Sequence, residues 1–372
     1  MESSREITVP QLTAILINAM IGVEVFHLPQ SVIQAAGTSA PLTVILGSLL
    51  GLAGLLTWVA LGERYPRRSV FRYSESLIGS WPARFFNLCL LLLFATLTAL
   101  AAREFGEVVV TYILKRTPVE VTVLVMLVLA ALPTRNDLNT FAYIQLFYLP
   151  LILTPLPLIL FSALKDSQFY YIQPFWNGDL SGILVGMLGV FGLFQVGLIL
   201  TVVMPAMRKP RLAKKSVWWS VAITGGLYLI VVTVVLAFFG EAEARMILWP
   251  TLEFSKSVVF PGEFLERLDA LLLVVWVFAV FTSLFSGYYL TVHGLAHLLH
   301  LRDHRPLSLF ALPIVYGVAM IPQNVLQVGA VIRWVGRTGL ILAFGYPLLL
   351  LLFHGLRSKG GKRDAEKTAS ST

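Results

Sequence analysis

Apolar residues run along this chain in long stretches that short polar segments separate. A transmembrane helix needs about 20 predominantly apolar residues, and ten stretches approach or exceed that length. The fourth and ninth are short and depend on their flanks. The predicted spans are 7–35, 40–62, 83–114, 119–133, 138–164, 180–206, 216–240, 265–300, 307–322 and 334–356. We therefore expect an all-α integral membrane protein with about ten transmembrane helices in a lipid bilayer.

The first span carries residues that a continuous membrane helix avoids. Gly22, Glu24, His27 and Pro29 lie near its middle. A charge there is costly, and glycine and proline weaken the helical hydrogen bonding around it. Broken backbone at membrane depth is tolerated only where it is buried in protein or lines a cavity. The first span therefore predicts a small-ligand site near the middle of the membrane.

The sixth predicted span contains five glycines, at residues 182, 186, 189, 192 and 197. Small residues also let membrane helices pack closely, and for any single glycine that alternative stays open. Because the first span is broken as well, we favour an unwound segment at Gly186–Gly192.

The ten spans divide into two halves of five. Each half has a long linker between its second and third spans, at 63–82 and 241–264. An odd number of spans gives the halves opposite orientations, and paired interrupted helices in inverted halves are typical of LeuT-type transporters. We predict one domain, 1–357, with repeats at 7–164 and 180–357, and a disordered cytoplasmic tail at 358–372.

Composition and charge agree with this class. Charged residues make up 13% of the chain and hydrophobic residues 57%, whereas soluble domains have about 25% charged residues. The formal net charge is +8, and most lysines and arginines fall in segments on one side of the predicted spans. Positively charged segments stay in the cytoplasm, so both termini are expected there. The charge is a topology signal, and we expect no nucleic-acid partner.

Four stretches of the sequence carry a resemblance to a known family. They are INAMIGVEVFHLP in the first span, KRTPVEV after the third, LFQVGLILTVVMPAMRKP at the end of the sixth, and ILWPTLEFSKSVVFPGEFLERLDALLLVVWVFAVFTS at 247–283. In the last, Trp249-Pro250-Thr251 followed by Glu266-Arg267 and Trp276 is the most specific cluster. The chain resembles the B subunit of GerA-type spore germinant receptors, the spore germination permease family within the amino acid–polyamine–organocation superfamily. The resemblance runs from Ile7 to Leu356.

This resemblance implies a nutrient-sensing subunit in the spore inner membrane. It would work with an A subunit and a lipoprotein C subunit, and its ligand would be a small germinant, most often an amino acid. The fold alone favours the alternative, an amino acid transporter coupled to H⁺ or Na⁺. A weaker alternative is a water or ion conduit lined by Arg103 and Glu107. The sequence carries no nucleotide loop, zincin motif or nucleophile elbow, so we expect neither an enzyme nor a bound cofactor.

Broken helices offer groups that suit a zwitterion. Unwinding frees backbone N–H and C=O groups, the N-terminal end of a half-helix attracts a carboxylate, and freed carbonyls can hold an ammonium. We expect bulky side chains to set selectivity, although helix packing is the alternative for each phenylalanine. The predicted ligand-binding residues are Ile21, Gly22, Val23, Glu24, Phe26, Gly186, Gly189, Val190, Phe191, Gly192 and Phe278, with Phe194 nearby.

Several charged residues lie within the predicted spans. Glu24 could be the counter-charge for an ammonium, a proton carrier, or the acceptor of a structural hydrogen bond, and His27 can face the same side. Arg103 and Glu107 are spaced to pair on one helical face, as a structural ion pair or along a polar path. Glu104 is expected to point elsewhere, toward a partner subunit.

Thr282 and Ser283 lie midway along the eighth span. In sodium-coupled relatives of the architecture implied by the resemblance, hydroxyls here meet carbonyls of the first span to hold Na⁺. The alternative is that they bond carbonyls of their own helix. The fifth span contains no lysine that could replace the ion, so coupling to Na⁺, to H⁺ or to neither stays open. Near the end of this span, His293, His297, His300 and His304 form a stripe that we interpret as an interfacial polar face rather than a metal site.

Overall fold

The computed structural model describes residues 6–155, 165, 167–257, 268–301 and 303–355. Within these ranges the chain is a bundle of helices, with an isolated parallel bridge between Ile7 and Met207. The helices are α1 (Val9–Met20), α2 (Glu24–Ala36), α3 (Ala40–Arg64), α4 (Val70–Ile78), α5 (Ser80–Tyr112), α6 (Val119–Ala131), α7 (Leu138–Leu153), α8 (Leu180–Leu193), α9 (Leu200–Val203), α10 (Ala213–Met246), α11 (Pro250–Ser257), α12 (Leu268–Leu298), α13 (Arg305–Ala319) and α14 (Val325–Leu340).

Each predicted span contains helix in the structure. Six described stretches are long and apolar enough to cross a membrane, and α1, α7 and α13 are shorter apolar helices. Large apolar side chains such as Phe147, Trp218 and Leu352 are exposed on the outside of the bundle, which suits contact with lipid. The protein is thus a multi-pass, all-α integral membrane protein, as predicted.

One boundary prediction was wrong. The tenth span was predicted to begin at residue 334, but its helix begins at Val325 and the helical stretch continues to Gly355. The prediction assigned Arg333 to the segment before the span. In the structure Arg333 is exposed and lines a cavity between helices, so the charge does not end the helix.

The two linkers contain short helices, α4 and α11. The first half of the first span, α1, lies at the centre of the bundle and contacts α7, α10 and α12. Its second half, α2, packs against α3, α8 and α10. The predicted inverted repeats and domain limits stay predictions, and the polar tail at 358–372 lies outside the described residues.

The sixth span starts at a capped helix end. The Asp179 carboxylate accepts a hydrogen bond from the backbone N–H of Gly182 at 2.9 Å, and this bond lowers the pKa of the Asp179 carboxyl. From there α8 packs closely against α3. A Cβ built at Gly47 of α3 would lie 2.6 Å from Cβ of Val190 and 2.9 Å from the carbonyl oxygen of Met187.

The contact at Gly47 predicts a stability difference between two glycine variants. Gly47→Ala should destabilise the protein by about 1–3 kcal/mol, because overpacking forces the two helices apart. Gly226→Ala is the matched control, since an added Cβ there meets nothing within 4 Å and alanine gains about 1 kcal/mol of helix propensity. Thermal unfolding in detergent measures both, and equal melting temperatures would contradict the prediction.

Candidate functional site

The first span is broken at the predicted place. α1 ends at Met20 and α2 begins at Glu24, with Ile21 in an extended conformation. A Cβ at Gly22 would lie 2.7 Å from Oγ of Ser283 and 2.8 Å from Oε2 of Glu24. Glycine is therefore needed here for close approach of the backbone to α12 and to the Glu24 carboxylate.

The break frees carbonyl groups at the end of α1, and side chains bind them. The Ser283 hydroxyl donates to the carbonyl of Ala19 at 2.9 Å, and the Tyr228 hydroxyl donates to the carbonyl of Met20. In an unbroken helix these carbonyls would accept from backbone N–H groups one turn later. Hydroxyls from α12 and α10 replace those donors, so the broken backbone remains hydrogen-bonded at membrane depth.

A buried amide network lies beside the break. Nδ2 of Asn18 donates to the backbone carbonyl and to Oε1 of Gln145, at 2.7 and 2.9 Å. Nε2 of Gln145 donates to the carbonyl of Thr282 at 3.1 Å and to Oγ of Ser286 at 2.8 Å. Gln145 of α7 thus links α1 to α12. The sequence signal for this role was a lone glutamine within an apolar stretch of the fifth span.

The two hydroxyls predicted on the eighth span behave differently. The Thr282 hydroxyl bonds the carbonyls of Phe278 and Ala279 in its own helix, which was the alternative interpretation. Ser283 makes the contact with the first span. A sodium-binding role for this pair stays a prediction.

Pro29 leaves a third carbonyl of the first span without a backbone donor. Pro29 lies inside α2 and has no N–H, so it cannot bond the carbonyl of Val25. The Thr251 hydroxyl of α11 donates to that carbonyl at 2.9 Å. Thr251 belongs to the Trp249-Pro250-Thr251 cluster that carried the family resemblance, and the structure gives it this specific partner.

The predicted unwinding at Gly186–Gly192 was wrong, because these residues are helical in α8. The irregular segment comes later, as a 3₁₀ helix at Phe194–Ile199 followed by the short α9. Packing, the alternative, explains Gly186, since a Cβ there would lie 2.7 Å from Cγ2 of Thr43. At the irregular segment, Nε2 of Gln195 donates to the carbonyl of Gly336 at 2.8 Å.

A cavity of about 170 Å³ lies between α2, α5, α8, α12 and α14. The structure brings five predicted site residues to its wall: Glu24, Gly186, Gly189, Gly192 and Ser283. The remaining predicted residues lie off the wall: Ile21, Gly22, Val23, Phe26, Val190, Phe191, Phe278, Arg103, Glu107 and Thr282.

The phenylalanines off the wall pack against other rings. Phe26 stacks on Trp276 with ring centroids 4.5 Å apart. Phe191 contacts the ring of Phe344 at 4.1 Å, and Phe278 lies beside Tyr148. Each of these contacts matches the packing alternative.

The cavity contains both acidic and basic side chains. Glu24 and Glu104 line it and interact electrostatically with each other. The wall also contains His27, Arg333 and Arg337. The positive charge of Arg333 lies close enough to His27 to interact electrostatically with its ring. The expectation that Glu104 points to a partner subunit was wrong, since Glu104 is buried against this cavity. The i,i+4 spacing of Arg333 and Arg337 was a signal that both face one side.

The predicted pairing of Arg103 with Glu107 is confirmed. Nη2 and Nε of Arg103 lie 2.8 and 3.0 Å from Oε1 of Glu107, and Nη1 of Arg103 contacts Sδ of Met320, the residue directly after α13. The pair faces α13, on a different side of α5 from Glu104. Its proposed place in a polar path stays a prediction.

This arrangement is that of transporter-like membrane proteins. The chain matches the solved structure of a Na⁺-coupled sialic acid symporter with a TM-score of 0.66 over 91% of this chain and 79% of that one, at 12% identity. It matches the manganese transporter of Eremococcus coleocola with a TM-score of 0.60 over 92% and 78%, at 16% identity. At these identities the likeness shows the fold alone.

Sequence comparison supplies the family. The family model described as spore germination protein matches residues 6–328, and the chain belongs to that family. It is 24% identical to spore germination protein YndE of Bacillus subtilis over 96% of this chain and 98% of the relative. It is also 24% identical to spore germination protein B2 of Bacillus subtilis, over 87% and 88%. Spore germination protein GerLB of Bacillus cereus is 22% identical over 93% and 94%.

The bond between Thr251 and Val25 predicts a stability change with a built-in rescue. Thr251→Val should destabilise the protein by about 1–3 kcal/mol, because it leaves the buried Val25 carbonyl without a donor. In a Pro29→Ala background, the N–H of residue 29 can bond that carbonyl, so Thr251→Val should then cost less. Melting temperatures of the four proteins in this cycle measure the coupling. Strictly additive effects would contradict the assigned bond.

Proposed function

We propose that this chain is the nutrient-sensing subunit of a spore germinant receptor and binds a small zwitterion, an amino acid in the simplest case, in the cavity beside the broken first span. The supporting observation is the presence of acidic and basic side chains on the wall of one small cavity between helices. In this proposal the chain lies in the spore inner membrane with both termini in the cytoplasm. It acts with A and C receptor subunits, as the family resemblance implies.

The charges along α2 favour one orientation of the ligand. Glu24 lies at the break, and His27 lies one turn further on, which is a rise of about 4.5 Å. Glu104 adds acidic charge near Glu24, and Arg333 adds basic charge near His27. We place the ammonium of the ligand at Glu24 and Glu104, and its carboxylate at Arg333.

This orientation reverses the one expected from helix ends alone. The N-terminal end of a helix attracts an anion, but at α2 the Glu24 side chain is itself in the first turn. A ligand carboxylate at that position would meet the like charges of Glu24 and Glu104. A guanidinium offers a carboxylate paired N–H donors, so Arg333 is the better partner.

The size of the cavity limits the ligand. A buried water molecule needs roughly 10–15 Å³ of cavity volume. A cavity of about 170 Å³ therefore holds on the order of ten water molecules. A ligand with about that many non-hydrogen atoms fits. This range covers single amino acids and excludes peptides of several residues.

Binding at the break offers a route to signalling. α2 lines the cavity, packs against α3, α8 and α10, and is bonded to α11 through Thr251. A ligand that binds one arrangement of α2 more tightly shifts the population toward it. Partner subunits in contact with the moving surfaces would detect that shift.

The alternative function is an amino acid transporter coupled to H⁺ or Na⁺. Its specific support is the position of Glu24 and Ser283, which both lie on the cavity wall beside the break. A carboxylate that alternates between the ligand and a proton, or a hydroxyl that joins freed carbonyls around Na⁺, would couple transport to an ion gradient.

The ligand orientation predicts a specificity pattern. A panel of labelled L-amino acids is first screened for binding to the purified protein. For the amino acid that binds, wild type should prefer it to its carboxamide and to its deaminated analogue by at least about tenfold each, because a charged hydrogen bond contributes about 1.5–3 kcal/mol. Arg333→Gln should remove the first preference, and Glu104→Gln the second.

The two variants control for each other. Each should keep the preference that the other loses, which general destabilisation of the cavity would not produce. If both variants lost both preferences equally, or if Arg333→Gln affected only the deaminated analogue, the proposed orientation would be wrong.

The close contacts at Gly22 predict a second binding result. Gly22→Leu should abolish amino acid binding while the protein still inserts into membranes, because the larger side chain displaces Ser283 and Glu24. Gly186→Leu should act similarly through Thr43. Gly226→Leu is the control, with open space around an added Cβ. Normal dose-response in both variants would rule out this cavity as the ligand site.

Counterflow of the labelled amino acid into proteoliposomes separates the two functions. Binding without uptake supports a sensor. Saturable uptake that Gly22→Leu abolishes supports the transporter, and its dependence on a Na⁺ or H⁺ gradient identifies the coupling ion.

A further inference from the structure

A second cavity lies away from the ligand site, where the loop after α3 meets the end of α12. Its volume is about 310 Å³. Arg67 and Arg72 line it from the loop and from α4, and His293, His297 and His304 line it from the other side. The charge pattern of the sequence assigns this face to the cytoplasm.

The charge in this cavity is not balanced by protein groups. The described residues that line it include no carboxylate. Neither Arg67 nor Arg72 forms an ion pair with any described residue, and the nearby Glu75 instead interacts with Arg84 at 3.6 Å. Two exposed guanidinium groups therefore line the same space without an ion-pair partner among the described residues, and Glu75 is the acidic group that acts on the cavity wall, at His297.

A helix end adds to the positive potential. α4 begins at Val70, directly after Ser69, and both Ser69 and Phe71 line the cavity. No side chain of the described residues caps this end of α4. The N–H groups of Arg72 and Tyr73 bond the carbonyl of Ser69, whereas those of Val70 and Phe71 come too early in the helix for a carbonyl partner within it, and such groups bind anions.

The conformation of Arg67 is unusual. Its φ is 63°, in the left-handed region that non-glycine residues adopt at a cost of about 1–3 kcal/mol. Such strain is concentrated at functional sites. Here it accompanies a side chain that lines the cavity.

The histidines form a structured wall. His293 and His304 pack with ring centroids 4.2 Å apart. Nδ1 of His293 faces the carbonyl of Tyr289 at 3.3 Å, and Nε2 of His304 faces that of Thr134 at 3.1 Å. Carbonyls only accept hydrogen bonds, so these nitrogens carry the protons. The rings are thus fixed by the protein, and the arginines supply the charge.

We propose that this cavity binds a phosphate group. A guanidinium matches phosphate oxygens with paired N–H donors, and two of them with a helix N-terminus suit a doubly charged oxyanion. Topology alone requires basic residues at this end of α3 and in the loop after it, and Arg64 and Arg68 already meet that need without lining the cavity. The phosphate comes from solution or from the headgroup of a lipid. When bound, it ties the loop and α4 to α12 and to Val202 and Pro205 at the end of the sixth span.

Phosphate binding can be measured on the full chain in nanodiscs of phosphatidylcholine. Inorganic phosphate is titrated calorimetrically at constant ionic strength. Arg72→Gln should weaken binding at least about tenfold, because it removes a charge-assisted contact. Arg68→Gln is the matched control, as it makes the same charge change four residues earlier, off the wall of this cavity, and it should stay within about twofold of wild type. If Arg72→Gln does not fold, Arg67→Gln replaces it.

A second arm of the experiment identifies the source of the phosphate. Retention of dioleoyl phosphatidic acid against dioleoyl phosphatidylcholine is measured by native mass spectrometry of wild type and the same variants. The site binds a lipid headgroup if the protein retains phosphatidic acid selectively but does not bind inorganic phosphate. In that case Arg72→Gln should lose the selective retention and Arg68→Gln should keep it. The proposal is overturned if neither form binds, or if the two variants weaken binding equally.

Discussion

The structure depends on keeping backbone carbonyls hydrogen-bonded where the first span is interrupted. Water is scarce at that depth, and an unpaired polar group costs several kcal/mol. Three hydroxyls from three other helices bind the carbonyls that the break and Pro29 release: Ser283 to Ala19, Tyr228 to Met20 and Thr251 to Val25. The break is therefore stabilised from outside the first span. Its shape is set by the packing of α10, α11 and α12 around it.

The same constraint explains why charged residues gather beside the break. A carboxylate or guanidinium facing lipid is costly, but one facing an internal cavity can interact with other charges or with a ligand. Glu24, Glu104, Arg333 and Arg337 all line the cavity. By contrast, Arg103 is neutralised within its own helix by Glu107. The charged side chains of the bundle are thus of two kinds. One kind is paired within its own helix, and the other lines a cavity between helices.

Local chemistry decides which features could be predicted from the sequence. Gly22 beside Glu24 identified the break, because no uninterrupted membrane helix suits that combination. The role of Gly186 was predicted wrongly, because glycine occurs both where helices pack closely and where a helix unwinds. The close contact with Thr43, which the sequence does not reveal, shows that packing is the role here. Glu104 could not be placed because its direction depends on how α5 rotates against α2. Gln145 and Arg333 were missed since their partners are more than a hundred residues away in sequence.

The contact between Thr251 and Val25 links the linker helix α11 to the second half of the first span. α11 also contacts α10 and α12. If α2 moves, the Thr251 hydroxyl must move with the Val25 carbonyl. Otherwise that carbonyl is left without a hydrogen-bond donor in an apolar environment. Any rotation of α2 during a working cycle would therefore carry α11 with it as one body. The position of α11, in the linker between two membrane spans, would then depend on whether a ligand occupies the cavity beside α2.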